Sequence, residues 1–125
     1  MLLEATGEKF FDGKDQLVKS RICTTRQSKA VYGVYGGTNN DGYDMVLALG
    51  TGFIWVANTG GDIEIGDYLQ SSDVPGHAEK QPDDILHNHT AAKAMEPVKW
   101  QPGPRLKHSR VNSTRRRIAC TYHAG

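Results

Sequence analysis

Few residues in this sequence combine type and spacing in a way that supports chemistry. His87 and His89 flank Asn88, with Asp83 and Asp84 close by. In a strand two such histidines share a face, and with a carboxylate they could hold zinc. A closed site needs further ligands, and none stands at metal spacing. Asp62, Glu64, Asp67, Asp73, Asp83 and Asp84 could do acid–base work if burial drove their pKa values apart. They lie among Gly, Ser and Pro, where Asp caps and bends the backbone. Ser71-Ser72 with His77 offers a nucleophile and a base, without a nucleophile elbow or a supporting acid. Gly36-Gly37 and Gly60-Gly61-Asp62 are too short for phosphate loops, and no P-loop pattern exists. Cys23 and Cys120 are distant and form no Cys-x-x-Cys pair, so they read as reduced core residues. The sequence therefore predicts no catalytic residue, no metal ligand and no cofactor.

The strongest charged cluster is Arg115-Arg116-Arg117, the end of a run over residues 105–117 that holds no acid. The acids lie earlier, at 41–44, 62–67 and 83–84. A formal net charge of +1 gives no global field to draw nucleic acid or membrane. In a strand Arg115 and Arg117 share one face and Arg116 takes the other. A contact between these arginines and acidic loops of a second subunit, or a charged sheet edge, fits better than nucleic acid.

The elements that must position these residues read as short strands. The 125 residues include 14 glycines and five prolines without a collagen period, which implies many tight turns. Residues 17–26 alternate as a strand, and 30–35 form a second. Residues 44–58 are the most apolar run; Gly50 and Gly52 argue against a helix there and divide it into two strands or one bent strand. Trp55, with Phe53 and Ile54, is placed in the central strands of the core or at a subunit junction. Gly60-Gly61 and Gly66 mark turns, and Pro75-Gly76 fits the central positions of a type II turn with Gly76 at positive φ. Residues 89–95 are the one stretch that suits a short helix, the alternative being a strand over 90–100. Residues 101–114 read as a loop or hairpin arm, and 116–122 as a closing strand that orders the terminus. The predicted fold is all-β: a short-stranded sandwich or barrel-like domain with tight Gly/Pro turns and at most one short helix. Residues 1–16 form an N-terminal arm or loop, and 17–125 a single domain. No run is long and apolar enough for a spanning helix, and Glu4 interrupts Met1-Leu2-Leu3, so no signal-peptide core is expected. With 38% hydrophobic residues and a mean hydropathy of −0.54, the core is thin, and completing it against identical neighbours suits the composition.

A resemblance enters over residues 58–98 and the closing strand. Gly66-Asp67-Tyr68-Leu69, Ser71-Ser72-Asp73-Val74-Pro75-Gly76-His77-Ala78, Asp83-Asp84-Ile85, Thr90-Ala91-Ala92-Lys93-Ala94 and a final strand ending Tyr122-His123-Ala124-Gly125 stand in order. This pattern resembles the C-terminal modules of tailed-phage fibre, appendage and other virion proteins, cyanophages included, and is distantly similar to the G2-type intramolecular chaperone domains. The resemblance covers roughly residues 17–125. It implies a virion structural protein made in the host cytoplasm, a homotrimer whose partners are itself, other virion proteins and a host surface receptor, with neither nucleic acid nor membrane insertion. Arg115, Arg116, Arg117, Trp55 and Phe53 are the expected subunit-interface residues. The alternatives are an autoproteolytic chaperone for fibre trimerisation or a capsid-surface decoration protein. A receptor tip engaging glycans through Tyr32, Tyr35, Tyr43 and Trp55 is a further alternative, set against burial of those rings in the core.

Overall fold

The computed structural model describes residues 1–11, 13, 14, 16–100 and 114–122. The protein is all-β, as expected; among the described residues the helical structure is one 3-10 turn at Asn58–Gly60. Among the described residues nine strands form two units. Strands β1 (Leu2–Phe11), β2 (Gln16–Ile22), β3 (Val31–Thr38) and β4 (Asp44–Leu47) make an antiparallel sheet in the order β2-β1-β3-β4. Strands β5 (Thr51–Ala57), β6 (Tyr68–Ser71), β7 (Ala78–Lys80), β8 (Thr90–Ala94) and β9 (Arg115–Tyr122) close into a barrel in the order β5-β7-β6-β8-β9. The closure is a single parallel pair, Val56 with Ala78; the other barrel pairings are antiparallel.

One core runs through both units. Leu2, Val31 and Val34 from the sheet join Ile54, Val56, Ile63, Leu69, Val98, Ile118 and Tyr122 from the barrel side. The barrel is narrow, and its interior takes small residues. This explains β8. Ala91, Ala92 and Ala94 are good helix formers, yet all three are buried in a strand paired with β6 and β9, because packing overrides a weak intrinsic preference. The helix reading of residues 89–95 is thus corrected, and the strand that replaces it is shorter than 90–100.

The N-terminal segment also departs from expectation. Residues 2–11 are not an arm or loop but β1, which pairs with β2 on one side and β3 on the other. Leu2 and Leu3 are buried, so this strand supplies core rather than decoration. Glycine and two aromatics in a mixed context obscured the alternation; Gly7 is a bulge in β1, at φ +85°, and not a break. The apolar run at 44–58 is two strands divided by Gly50. The hairpin arm expected over 101–114 lies outside the described residues apart from its last position, as does the order of 123–125.

The turn glycines fall where expected. Gly61, Gly66 and Gly76 all have positive φ. A Cβ on Gly60 would meet the backbone of Lys80, its oxygen at 2.5 Å and its nitrogen at 2.8 Å. In the Val74-Pro75-Gly76-His77 turn the His77 amide donates to the Val74 carbonyl at 3.0 Å, and Gly76 sits at φ +72°. The same turn joins β1 to the segment after β2: the Leu2 amide donates to Gly76 O and the Gly76 amide to Cys23 O, both at 2.7 Å. A Cβ at position 76 would collide with the Met1 side chain. Gly76→Val is therefore expected to lower stability by at least about 2 kcal/mol, from a strained backbone and a displaced β1. Thermal unfolding checks this, and a variant melting like the wild type would show that the turn bears no such constraint.

Candidate functional site

Two places on this scaffold gather the side chains that matter: a ridge on the outside of the barrel, and a polar seam between the barrel and the sheet.

The ridge comes from β5 and β9, which pair in continuous register from Thr51↔Thr121 to Ala57↔Arg115. Alternation turns Ile54 and Val56 inward, at 1% and 0% exposure, and Phe53 and Trp55 outward, at 51% and 39%. Of the two positions expected for this trio, the core or a subunit junction, parity gives the core to Ile54 alone and leaves Phe53 and Trp55 on the outer face. Trp55 stands directly across from Arg117, and the Arg117 guanidinium lies 4.8 Å from the centroid of the Phe53 ring. Trp55 also packs against His77, with ring centroids 5.8 Å apart. Register puts Arg115 on the face of Arg117 and Arg116 on the face of Val56, all three arginines being exposed. The structure thus brings Phe53, Trp55 and Arg117 together, with Arg115 two residues along the same strand.

The seam was not visible in the sequence. Glu79 on β7 is almost fully buried; its carboxylate accepts from Thr59 Oγ1 at 2.6 Å and Gln70 Nε2 at 2.7 Å and forms an ion pair with Arg26, whose Nε lies 3.2 Å away. Gln27 Nε2 donates to Gln70 Oε1 at 3.0 Å, extending the chain of bonds into the segment that joins β2 to β3. Ser71 Oγ donates to Thr25 O at 2.7 Å and accepts from the Ser28 amide at 2.8 Å. A second buried carboxylate, Glu4, accepts from Ser28 Oγ at 2.7 Å and Arg21 Nε at 2.8 Å. Burial pushes the Glu4 carboxyl up, but the bonds from Ser28 and Arg21 outweigh it and hold the group below its ordinary value of 4.5.

The remaining sequence candidates resolve into structure-forming roles. Ser72 Oγ donates to the His77 carbonyl at 2.7 Å and accepts from the Val74 amide at 3.1 Å, while His77 Nδ1 meets Pro75 O at 2.9 Å. Serine and histidine here shape a turn and do not face each other as nucleophile and base. His87 Nε2 bridges to Asp83 at 3.0 Å, which holds that carboxyl below its usual range. His89 stacks on His87 with centroids 4.6 Å apart, and desolvation followed by the charge of His87 lowers its pKa. Among the described residues no group of three or more His, Cys, Asp or Glu side chains is placed to hold a metal ion. Cys23 and Cys120 are both unbridged and buried, and burial pushes the Cys120 thiol up to about 12. Tyr32 and Tyr43 line a groove on the four-stranded sheet; Tyr35 bonds Thr38 away from it.

The arrangement defines the class as an all-β protein in which a four-stranded antiparallel sheet packs on a closed five-stranded barrel. Comparison with family models, with curated proteins and with solved structures finds no match. Among the described residues no helix is long and apolar enough to cross a membrane.

Two outcomes follow from the seam. Glu79→Ala leaves the buried Gln70 amide without its acceptor and takes a partner from the more exposed Thr59 and Arg26, so it is expected to cost about 2 kcal/mol; chemical denaturation reads this, and a loss below about 1 kcal/mol would show the network to be dispensable. Because the Glu4 pKa is lower folded than unfolded, its contribution is full above the ordinary value of 4.5 and disappears as pH falls through the lower folded value. Glu4→Gln should therefore flatten the fall of stability with pH in that acid window, while an unchanged acid limb would place the linkage elsewhere.

Proposed function

We propose that this chain is an oligomeric structural module of a phage virion appendage, a trimer that packs through the β5–β9 ridge. The observation that carries the reading is the outward row of Phe53, Trp55 and Arg117 on the long, continuously paired strands of the barrel. Large aromatic rings and arginine are the residues that dominate buried contacts between proteins, and they are most effective when held rigidly before contact. Here the cation–π contact with Arg117 and the packing of Trp55 on His77 fix the rings in advance. The exposed acids Asp62 and Glu64 supply opposite charge for Arg115–Arg117 of a neighbouring copy. The low apolar fraction agrees with a fold that finishes its core against neighbours. The sequence pattern over residues 66–94 adds the virion context and the threefold expectation. In this reading the module's partners are its own copies, adjoining virion proteins and a host surface receptor; it binds neither nucleic acid nor membrane, and it resides in the virion.

Light scattering on the purified protein at micromolar concentration should give three times the chain mass of 13.7 kDa. The double variant Phe53→Ser, Trp55→Ser should give the monomer mass with an unchanged β-sheet circular dichroism spectrum, because neither ring belongs to the core. A monomeric wild type would sink the oligomeric reading, and a trimer that survives the double variant would move the interface off the ridge.

A further inference from the structure

A concavity lies on the four-stranded sheet, away from the ridge. Its volume is about 560 Å³, within the range of small-ligand sites. Phe10, Val18, Ser20, Tyr32, Tyr43 and Asp44 are among the residues that line it. Three departures from regular pairing build it. Between Ala5 and Lys9, β1 advances four residues while β2 advances two, and this bulge bends the β1–β2 hairpin until Phe10 reaches Tyr43, with ring centroids 5.8 Å apart. On β3 the register skips Tyr32, which stands as an extra residue between Gly33 and Val31, and its hydroxyl meets Ser20 Oγ. A third shift between Tyr35 and Thr38 sets the β3–β4 hairpin that carries Tyr43 and Asp44. Bulges of this kind re-aim side chains, and here all three act on strands of one groove.

We infer that this groove binds a neutral oligosaccharide. Its chemistry is two-sided, as a pyranose ring is. Phe10 and Tyr43 offer aromatic faces whose negative π-clouds attract the polarised C–H face of a sugar. The paired hydroxyls of Ser20 and Tyr32 give both donor and acceptor capacity on the groove wall. Asp44 accepts one bond from Thr38 Oγ1 at 3.1 Å, and a carboxylate has acceptor sites left for sugar hydroxyls. Charge selects the neutral class. Lys19 and Asp44 both line the groove, so neither sign of charge prevails there, and Lys19 also pairs with the exposed Glu8 at 3.6 Å. An open groove of this sort binds weakly at each site, and three copies would strengthen it through avidity; the single-site binding does not depend on the trimer.

The test titrates the isotopically labelled full chain by NMR with maltohexaose, cellohexaose and chitohexaose, and with a hexamer of galacturonic acid as the acidic counterpart. Each is taken to about 10 mM, ten times a Kd of about 1 mM. At least one neutral hexasaccharide should shift the amides around Phe10, Ser20, Tyr32 and Tyr43 and leave those around Phe53 and Trp55 unmoved. Tyr43→Ala and, separately, the milder Asp44→Asn should each weaken binding about tenfold with melting temperatures unchanged. Absence of binding by all three neutral sugars, stronger binding of the acidic hexamer, shifts confined to the ridge, or full affinity in both variants would each overturn the inference. Groove shifts that follow protein concentration without sugar would mean that a second copy fills it, and would overturn it as well.

Discussion

Glu79 is a carboxylate withdrawn almost wholly from the surface, and the sheet and the barrel are joined by the partners it gathers. A buried carboxylate is tolerated only when donors surround it. Thr59 and Gln70 supply two of them from the barrel, and Arg26 adds a positive charge from the segment between β2 and β3. That segment must therefore lie across β6 and β7. Once it does, Gln27 and Ser28 find Gln70 and Ser71, and Arg26 finds Asp73 through its backbone amide at 3.0 Å. The sheet cannot slide over the barrel without breaking several of these bonds together. Apolar packing across the same boundary sets no such direction, since Leu2, Val31 and Val34 are smooth side chains that tolerate small shifts.

The fixed relation has consequences on the outside. The Pro75-Gly76 turn ties β1 to Cys23 through two short backbone bonds, so the beginning of β1 is held. The far end of β1 is free to bend at its bulge, and it curls toward the β3–β4 hairpin to make the groove. On the barrel, β5 and β9 keep continuous register over seven pairs, which lines up Phe53, Trp55 and Arg117 on the outer face. One unit thus makes a flat ridge from regular pairing and the other a groove from irregular pairing.

Much of this was legible in the residues. Alternation and β-branching located β2, β3, β5 and β9 to within a few positions, and the Pro-Gly turn was readable because so few residues accept its geometry. Gly50 showed where the apolar run divides. What failed did so for physical reasons. In β8 the alanines speak for helix locally, and only a narrow barrel interior makes small residues the right filling for a strand. In β1 the bulge between Ala5 and Lys9 breaks the period of two on which a strand is recognised. The ridge residues were named from type, yet their outward direction depends on register: a shift of one residue would have buried Phe53 and Trp55 and exposed Ile54. The seam was illegible because Gln70 and Glu79 look like ordinary solvent-facing strand residues. Their burial comes from a loop more than forty positions earlier in the chain.

The contrast between seam and ridge bears on what the molecule has left to do. Inside, the polar groups are almost all answered; among the described residues the one buried side-chain atom without a partner is His89 Nε2, beside the ion pair of His87 and Asp83. Outside, Phe53 and Trp55 are large apolar rings left substantially in water. Turning them inward is barred by the pleat, since every second residue of β5 must face out. Removing them from water therefore requires another surface, and Arg117, stacked on Phe53 and opposite Trp55, sets a positive edge beside the apolar area. A surface that met this ridge would need an apolar centre and an acidic rim. The turn around Asp62, Glu64 and Asp67 carries such acids on the same chain, so a second copy is the simplest molecule that supplies the charge. The groove makes the opposite demand. Its aromatic faces are interrupted by hydroxyls and a carboxylate, and a flat apolar partner would strand those polar groups unpaired. A partner suited to the ridge would therefore fit the groove poorly, and the reverse holds as well.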